Sequence, residues 1–226
     1  DGGISKFFPQ SVQKDIISEL RIADDNVLFM VGDTASTVFS SLGALRLELG
    51  KRENLIDTDA WAPLWVVDFP LVGWNEDNNR WDALHHPFTS PHLDDLDKLD
   101  SDTGNVRSLG YDIVMNGYEL GGGSIRIHDK DLQAKIFTLL GISDDDAQEK
   151  FGFLMDAFRF GAPPHGGMAF GFDRIIMLLA GSNQIRDVIA FPKTTSALSL
   201  MDDSPSPVSE KQLEELHLAV INDSEE

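Results

Sequence analysis

The 226-residue chain contains no cysteine. Disulfide bridges and thiolate metal sites are therefore excluded. It also lacks any apolar run of the length a membrane-spanning helix needs, and Asp1-Gly2-Gly3 does not open a signal peptide. Basic residues are scarce: 18 Lys and Arg stand against 38 Asp and Glu, a formal net charge of -20. A nucleic-acid binder usually carries a basic footprint. Any function with RNA must then use a local basic patch or parts of a protein not in this chain. The first residue is not methionine, so the chain is expected to begin inside a longer gene product or to have been processed.

Hydrophobic residues make up 42% of the chain, enough for one substantial core, or one core and a smaller module. The acid is clustered at Asp94-Asp95, Asp97, Asp100 and Asp102, at Asp144-Asp145-Asp146, and in the tail. These clusters read as solvated loops; they lack the spacing of an EF-hand. Adaptation to high salt is an alternative reading.

Apolar periodicity predicts a helix over 11–20, with Val12, Ile16, Ile17 and Leu20 on one side, and another over 34–50, ended by Gly50. Val27–Val31 reads as a short buried strand, and Leu64–Pro70 as a central strand ended by proline. Trp74–Trp81 reads as a polar loop. Tyr111–Met115 and Ile125–His128 read as strands, with a turn at Asn116-Gly117. Helices are expected over 131–140 and 144–160, the second with Phe151, Leu154, Met155 and Phe158 as a core stripe. Ile189–Lys193 reads as a terminal strand. Beyond Met201 the composition predicts a mobile tail with one short helix over 210–216. Strands separated by hairpins and loops, with helices grouped after them, imply an α+β fold: an antiparallel sheet flanked by helices.

The most informative segment is Gly161-Ala162-Pro163-Pro164-His165-Gly166-Gly167-Met168-Ala169-Phe170-Gly171-Phe172-Asp173-Arg174. It reads as a Gly-rich strand running into an apolar helix. The glycines let backbone lie close under a flat ligand, and the Arg174 fork at the helix start suits a triphosphate. A Gly-rich hairpin beside a buried helix is the alternative. The segment resembles motif 3 of the class II aminoacyl-tRNA synthetases, and its Pro-Pro-His-Gly-Gly lead-in is like the subgroup handling aspartate, asparagine and lysine.

Four further segments carry the same resemblance, nearest to the bacterial-type aspartyl branch, over almost the whole chain. The first is Ala83-Leu84-His85-His86-Pro87-Phe88-Thr89-Ser90-Pro91. Adjacent histidines cannot both face one core, so at least one is exposed or functional; a polar turn is the bland alternative. The resemblance implies a mobile loop over the amino acid, with His85 contacting L-aspartate and His86 assisting or meeting the tRNA end. The second is Tyr111–Leu120, whose Asp112 and Glu119 sit in apolar surroundings and each need a cation, by a salt bridge or a metal. The resemblance makes Glu119 the acid that binds ATP and its magnesium, with Asp112 supporting the same metal. The third is Gly121-Gly122-Gly123-Ser124-Ile125-Arg126, where the glycines are expected to clear one face of a strand. Arg126 is implied to grip the side-chain carboxylate of aspartate as a bidentate pair, selecting it over asparagine. The fourth is Gly2–Phe8 with the helix around Ser41–Arg46, similar to the end of the insertion domain between motifs 2 and 3. Ile185–Lys193 resembles the family's closing segment.

The resemblance implies domains at 1–56 (remnant of a small α+β insertion domain), 57–200 (part of the catalytic domain) and 201–226 (acidic tail). It implies ATP-dependent activation of aspartate and its transfer to tRNA in the cytoplasm, by a homodimer without membrane contact. Arg174 would hold the γ-phosphate, with Gly171, Phe172 and Asp173 lining the nucleotide. The anticodon-binding barrel and motifs 1 and 2 are not found in these residues, so the chain is expected to be a fragment, inactive alone. A non-catalytic synthetase-like binding module is the rival reading, and an asparagine-specific synthetase a second.

Overall fold

The computed structural model describes residues 3–221. Asp1 and Gly2 of the expected insertion-domain segment, and 222–226 of the expected tail, lie outside the described residues. The chain divides into two compact units, Asp1–Ala60 and Trp61–Glu226.

The first unit holds a 3-10 turn at Gly3–Phe7, helix α1 (Gln10–Glu19) and helix α2 (Ala35–Arg52). Helix α2 runs through Gly50 instead of ending there. Lys51 and Arg52 in its last turn suit the negative end of the helix dipole, and Asn54 beyond them takes the left-handed turn at φ 52°. The expected strand at Val27–Val31 does not form, and Val27 is 74% exposed. A strand exists only through a ladder partner, and the described residues of this unit contain no other strand. None of those whose burial is described is buried.

The second unit is built on a four-stranded antiparallel sheet: β1 (Pro63–Val67), β4 (Gly110–Met115), β5 (Tyr118–Ile125) and β6 (Gly166–Phe170), in the order β1-β4-β5-β6. β1 lies at an edge, not at the centre, and ends where Asp68 turns left-handed at φ 58°. Its Leu64, Trp65 and Val67 are more than half exposed. β4 and β5 meet at Asn116-Gly117, both at positive φ (50° and 85°), the backbone a two-residue hairpin requires. The Asn116 side chain also accepts the Ala62 N–H at 2.9 Å. Ladder pairing ends at Ile125, so the expected strand at 125–128 begins seven residues earlier, at Tyr118, and runs through the three glycines.

The stretch read as a polar loop is a second sheet, β2 (Val72–Asn75) paired with β3 (Arg80–Ala83). Trp74 and Trp81 face each other across it, edge to face at 5.2 Å. Helices α3 (Lys130–Leu139), α4 (Asp144–Phe158), α5 (Phe172–Leu179) and α6 (Glu210–Glu215) follow. Asp129, Ser143 and Ser209 cap α3, α4 and α6 by accepting backbone N–H bonds. The three acids at 144–146 fill the first turn of α4, where the helix dipole favours them. No strand forms at 189–193; Phe191 is left-handed there (φ 57°) and Arg186 bonds the Lys193 carbonyl.

The buried core sits beside the sheet. Leu71, Val72, Leu99, Val106, Ile127, Ile136 and Leu140 pack together, with Trp81 and Leu132 against them. The acidic loop crosses this core, and Asp95 is not solvated as expected: it is 1% exposed. Arg107 binds it through Nε at 2.7 Å and Nη2 at 3.3 Å, and Lys98 adds a bond at 2.7 Å. Desolvation of a carboxylate is tolerable only with such partners. The anchored loop fixes Ser90 and Ser108, and Ser90 donates its N–H to Ile125 at the end of β5.

Candidate active site

A cavity of about 540 Å³ opens over the sheet. His85, His86, Asp112, Glu119, Arg126, Gly171 and Arg174 all line it, with Thr89, Ser124 and the glycines 121–123. Of the nine residues expected at a site, seven therefore converge. Phe172 and Asp173 do not line the cavity. Phe172 is 71% exposed, and Asp173 sits in the first turn of α5, where its charge is explained by the helix dipole.

The glycines line the cavity, and each also makes room for a neighbouring group. Side chains along a strand alternate between faces, and each glycine meets a different neighbour. A Cβ on Gly121 would lie 2.6 Å from the Ala169 carbonyl, and one on Gly123 would collide with the Gly167 carbonyl. Both glycines let β5 approach the β6 backbone. A Cβ on Gly122 would collide with the Asp112 carboxylate, its register partner on β4. Gly122 thus leaves the space that the carboxylate occupies.

Asp112 is half-buried. Burial raises its pKa above the usual carboxylate value, and the charge of Glu119 raises it further, while His85 acts in the opposite direction. Glu119 is more exposed, and Arg174 reaches it twice: Nη1 donates to its backbone carbonyl at 2.8 Å and lies 3.7 Å from its carboxylate. Gly171 links the strand to α5 by donating its N–H to Leu120 at 2.7 Å. This bond sets the start of α5 beside Glu119, and with it Arg174.

Arg126 lies just beyond β5. Its backbone N–H donates to His165 at 2.9 Å, and it bridges Thr89. Its Nη1 is 2.8 Å from His86 Nδ1 and also contacts Nε2. Burial lowers the His86 pKa, and the positive charge of Arg126 lowers it further. Both causes favour the neutral ring beside Arg126. His85 is exposed and packs edge to face on Phe69 at 4.9 Å. Sequence reasoning gave no role to Thr89 and Ser124. Both are 2% exposed, they bond each other at 3.4 Å, and both hydroxyls reach the His86 ring. Their signal was the quoted segments themselves, since each lies within a few residues of a named site residue.

Two carboxylates near each other, one resisting ionisation, form a place where a cation relieves repulsion. Among the described residues no group of three or more His, Cys, Asp or Glu could hold a metal. The pair fits magnesium, which takes one or two carboxylates and completes its shell with phosphates and water.

The model of the family "tRNA synthetases class II (D, K and N)" matches residues 10–195. The chain belongs to this family. The aspartate–tRNA(Asp/Asn) ligase of Caldanaerobacter subterraneus subsp. tengcongensis is 52% identical over 96% of this chain and 36% of its own length. The aspartate–tRNA ligase of Staphylococcus carnosus is 56% identical over 97% of this chain and 37% of its own length. This synthetase chain thus spans little more than a third of the curated relatives it matches. Among solved structures, the aspartyl tRNA synthetase from Entamoeba histolytica aligns with a TM-score of 0.47 and 27% identity, over 82% of this chain and 31% of that one. No described helix is long and apolar enough to cross a membrane.

Proposed function

We propose that this chain carries one part of the active site of an aspartate–tRNA ligase. The observation that supports it most is the convergence of Asp112, Glu119, Arg126 and Arg174 on one cavity. The aspartate α-carboxylate attacks the α-phosphorus of ATP. An oxygen–phosphorus bond forms, the bond to the bridging oxygen breaks, and pyrophosphate leaves. The terminal ribose hydroxyl of tRNA then takes the aspartyl group, and AMP leaves. A carboxylate is already a nucleophile, so positioning and charge stabilisation supply the acceleration.

Arg126 holds the side-chain carboxylate of aspartate, and His85 closes over it. Arg174 releases Glu119 to meet the γ-phosphate, with Gly171 leaving room for the nucleotide. Asp112 and Glu119 hold magnesium, which when bound neutralises charge on the phosphates. Six of the seven lining residues carry these roles, and His86 assists at the aspartate side or meets the tRNA end; Phe172 and Asp173 are given none. The complete protein works in the cytoplasm as a homodimer, and residues beyond this chain supply most of its tRNA contact, which a net charge of -20 favours. The chain alone is inactive.

Aspartate-dependent ATP–pyrophosphate exchange by the full-length protein and by this chain tests the reading. Exchange is expected only from the full-length protein. Exchange driven by asparagine or lysine instead would overturn the substrate. Silence from a folded full-length protein favours the binding-module alternative.

A further inference from the structure

Gln133 lies on α3 and has no exposed surface. Its amide Nε2 donates to the Pro87 carbonyl at 2.8 Å. Its Oε1 is buried and has no hydrogen-bond partner among the described residues. An acceptor left unpaired in a core carries the full cost of its desolvation. The other buried residues of α3, Ile136 and Phe137, are apolar. A methionine or leucine at 133 would pack beside them without that cost. Packing therefore does not explain the amide, and its bond to Pro87 does.

That bond falls at the base of the loop bearing His85 and His86. After Pro87 the chain is fixed. The Phe88 carbonyl accepts the Ile127 N–H at 2.9 Å, and the Phe88 ring meets Phe137 and Phe151 edge to face at 6.2 Å and 5.3 Å. Thr89 follows and is buried. Before Pro87 the chain is open to solvent, with Leu84 54% exposed and His85 exposed beside it. A closing motion of the loop then pivots at Pro87. The far end of the bond is tied to the opposite wall of the cavity. Asp129, three residues beyond Arg126, accepts the Leu132 N–H on its carboxylate at 2.8 Å and the Gln133 N–H on its carbonyl at 3.0 Å. Gln133 thus joins the base of the loop to the segment that carries Arg126.

We infer that Gln133 is a positioning residue: it does not line the cavity, and through Pro87 it holds the pivot of the loop at a set distance from Arg126. A small displacement of a group that orients a substrate is costly to the reaction although the chemistry lies elsewhere. The inference rests on the reading of this loop as the one that closes over the amino acid.

The test uses the full-length protein with Gln133→Met, which keeps the length of the side chain and removes the donor. Its Tm is expected to equal or exceed that of the wild type. KM for aspartate in pyrophosphate exchange is expected to rise about three- to tenfold, the worth of one neutral hydrogen bond, while KM for ATP stays unchanged. Amide hydrogen exchange without amino acid is expected to quicken in a peptide over 85–92 and not in one over 130–140. Ile136→Val is the packing control, expected to lower Tm without moving KM for aspartate. Unchanged aspartate KM and unchanged exchange over 85–92 in Gln133→Met would overturn the inference. So would a fall in Tm with both KM values moving together, or an equal rise in aspartate KM in Ile136→Val. Gln133→Leu repeats the test should the methionine variant not fold, and failure of both to fold also overturns the inference, which holds that the fold does not need the amide. Wild-type protein silent with aspartate, while Gln133→Met still loosens 85–92, would refute the proposed function and leave the anchor standing.

Discussion

Replacing Gly121 by alanine tests whether the cavity floor depends on the close approach of β5 and β6. A Cβ there would lie 2.6 Å from the Ala169 carbonyl oxygen, 2.9 Å from Phe170 Cδ1 and 3.2 Å from Phe170 Cα. Ordinary contact begins at 3.4 Å, so the shortfall against the carbonyl is 3.4 − 2.6 = 0.8 Å. The carbonyl cannot rotate away, because it belongs to the neighbouring strand of the ladder. The strands must part, and β6 leads through Gly171 into the helix that carries Arg174. Overpacking of this kind costs about 1–3 kcal/mol. For a domain of this size, that lowers Tm by roughly 2–12 °C. Gly167 on the same ladder is the control, since a Cβ there meets nothing within 4 Å. Gly167→Ala restricts only the unfolded chain and stabilises by about 0.4–1 kcal/mol. Thermal melting of the two variants, followed by circular dichroism, reads both. Equal losses in the two variants, or a Gly121→Ala protein as stable as the wild type, would refute the close-approach argument.

Three other expectations follow from the site and its support. Arg126→Ala in the full-length protein should lower aspartate-dependent exchange by about 100-fold or more, the loss of two charged hydrogen bonds, while ATP binding stays nearly intact; unchanged aspartate kinetics would sink the assignment. Asp112→Asn should raise thermal stability at neutral pH and weaken magnesium-dependent nucleotide binding. Its folded pKa is raised by burial and Glu119, so the penalty is absent below the ordinary carboxylate value and complete above the raised one. Melting curves of the two proteins should therefore converge at low pH, and a gap independent of pH would count against this origin. Asp95→Asn should destabilise at neutral pH. Hydrogen bonds from Arg107 and Lys98 hold Asp95 well below the usual range, so its contribution is present above the ordinary carboxylate value and fades as pH falls below it. The variant's Tm should then depend less on pH along the acid limb; an identical limb would argue against Asp95 as the anchor.

Helices were legible because their signal is local. Val38, Leu45 and Leu49 recur at helical spacing and are the better covered positions of α2. Strands were legible only where their partner was close. Asn116-Gly117 marked β4 and β5, whose pairing needs no distant residue. Val27–Val31 and Ile189–Lys193 have the composition of strands, but composition does not create a ladder partner. Trp74–Trp81 erred in the other direction: its polar turn hid two short strands whose tryptophans pair across them. Asp95 looked like its acidic neighbours because its partner Arg107 stands 12 residues away. Seven of the nine residues singled out in the sequence line one cavity. Acids and arginines in apolar or Gly-rich segments violate local rules, and such violations gather where function requires them. Phe172 and Asp173 broke no such rule: an acid in a helix's first turn is ordinary.

The cavity holds two electrostatic conflicts of opposite sign. Asp112 resists ionisation beside Glu119, a carboxylate pair in need of positive charge. His86 resists protonation beside Arg126, a basic pair that would accept negative charge. Arg174 already relieves part of the first conflict by lying 3.7 Å from the Glu119 carboxylate. A ligand of one sign would settle one conflict and leave the other. A cation carried on a polyphosphate settles the first and frees Arg174 for the phosphates. An amino acid with an anionic side chain settles the second. The first ligand removes a repulsion that the folded chain tolerates alone, so removing the carboxylate conflict by substitution should make the protein more stable and a poorer binder of nucleotide. Asp112→Asn is the variant in which both effects are read on one protein. A variant that gains neither stability nor loses nucleotide affinity would mean that the carboxylate pair is incidental to the cavity.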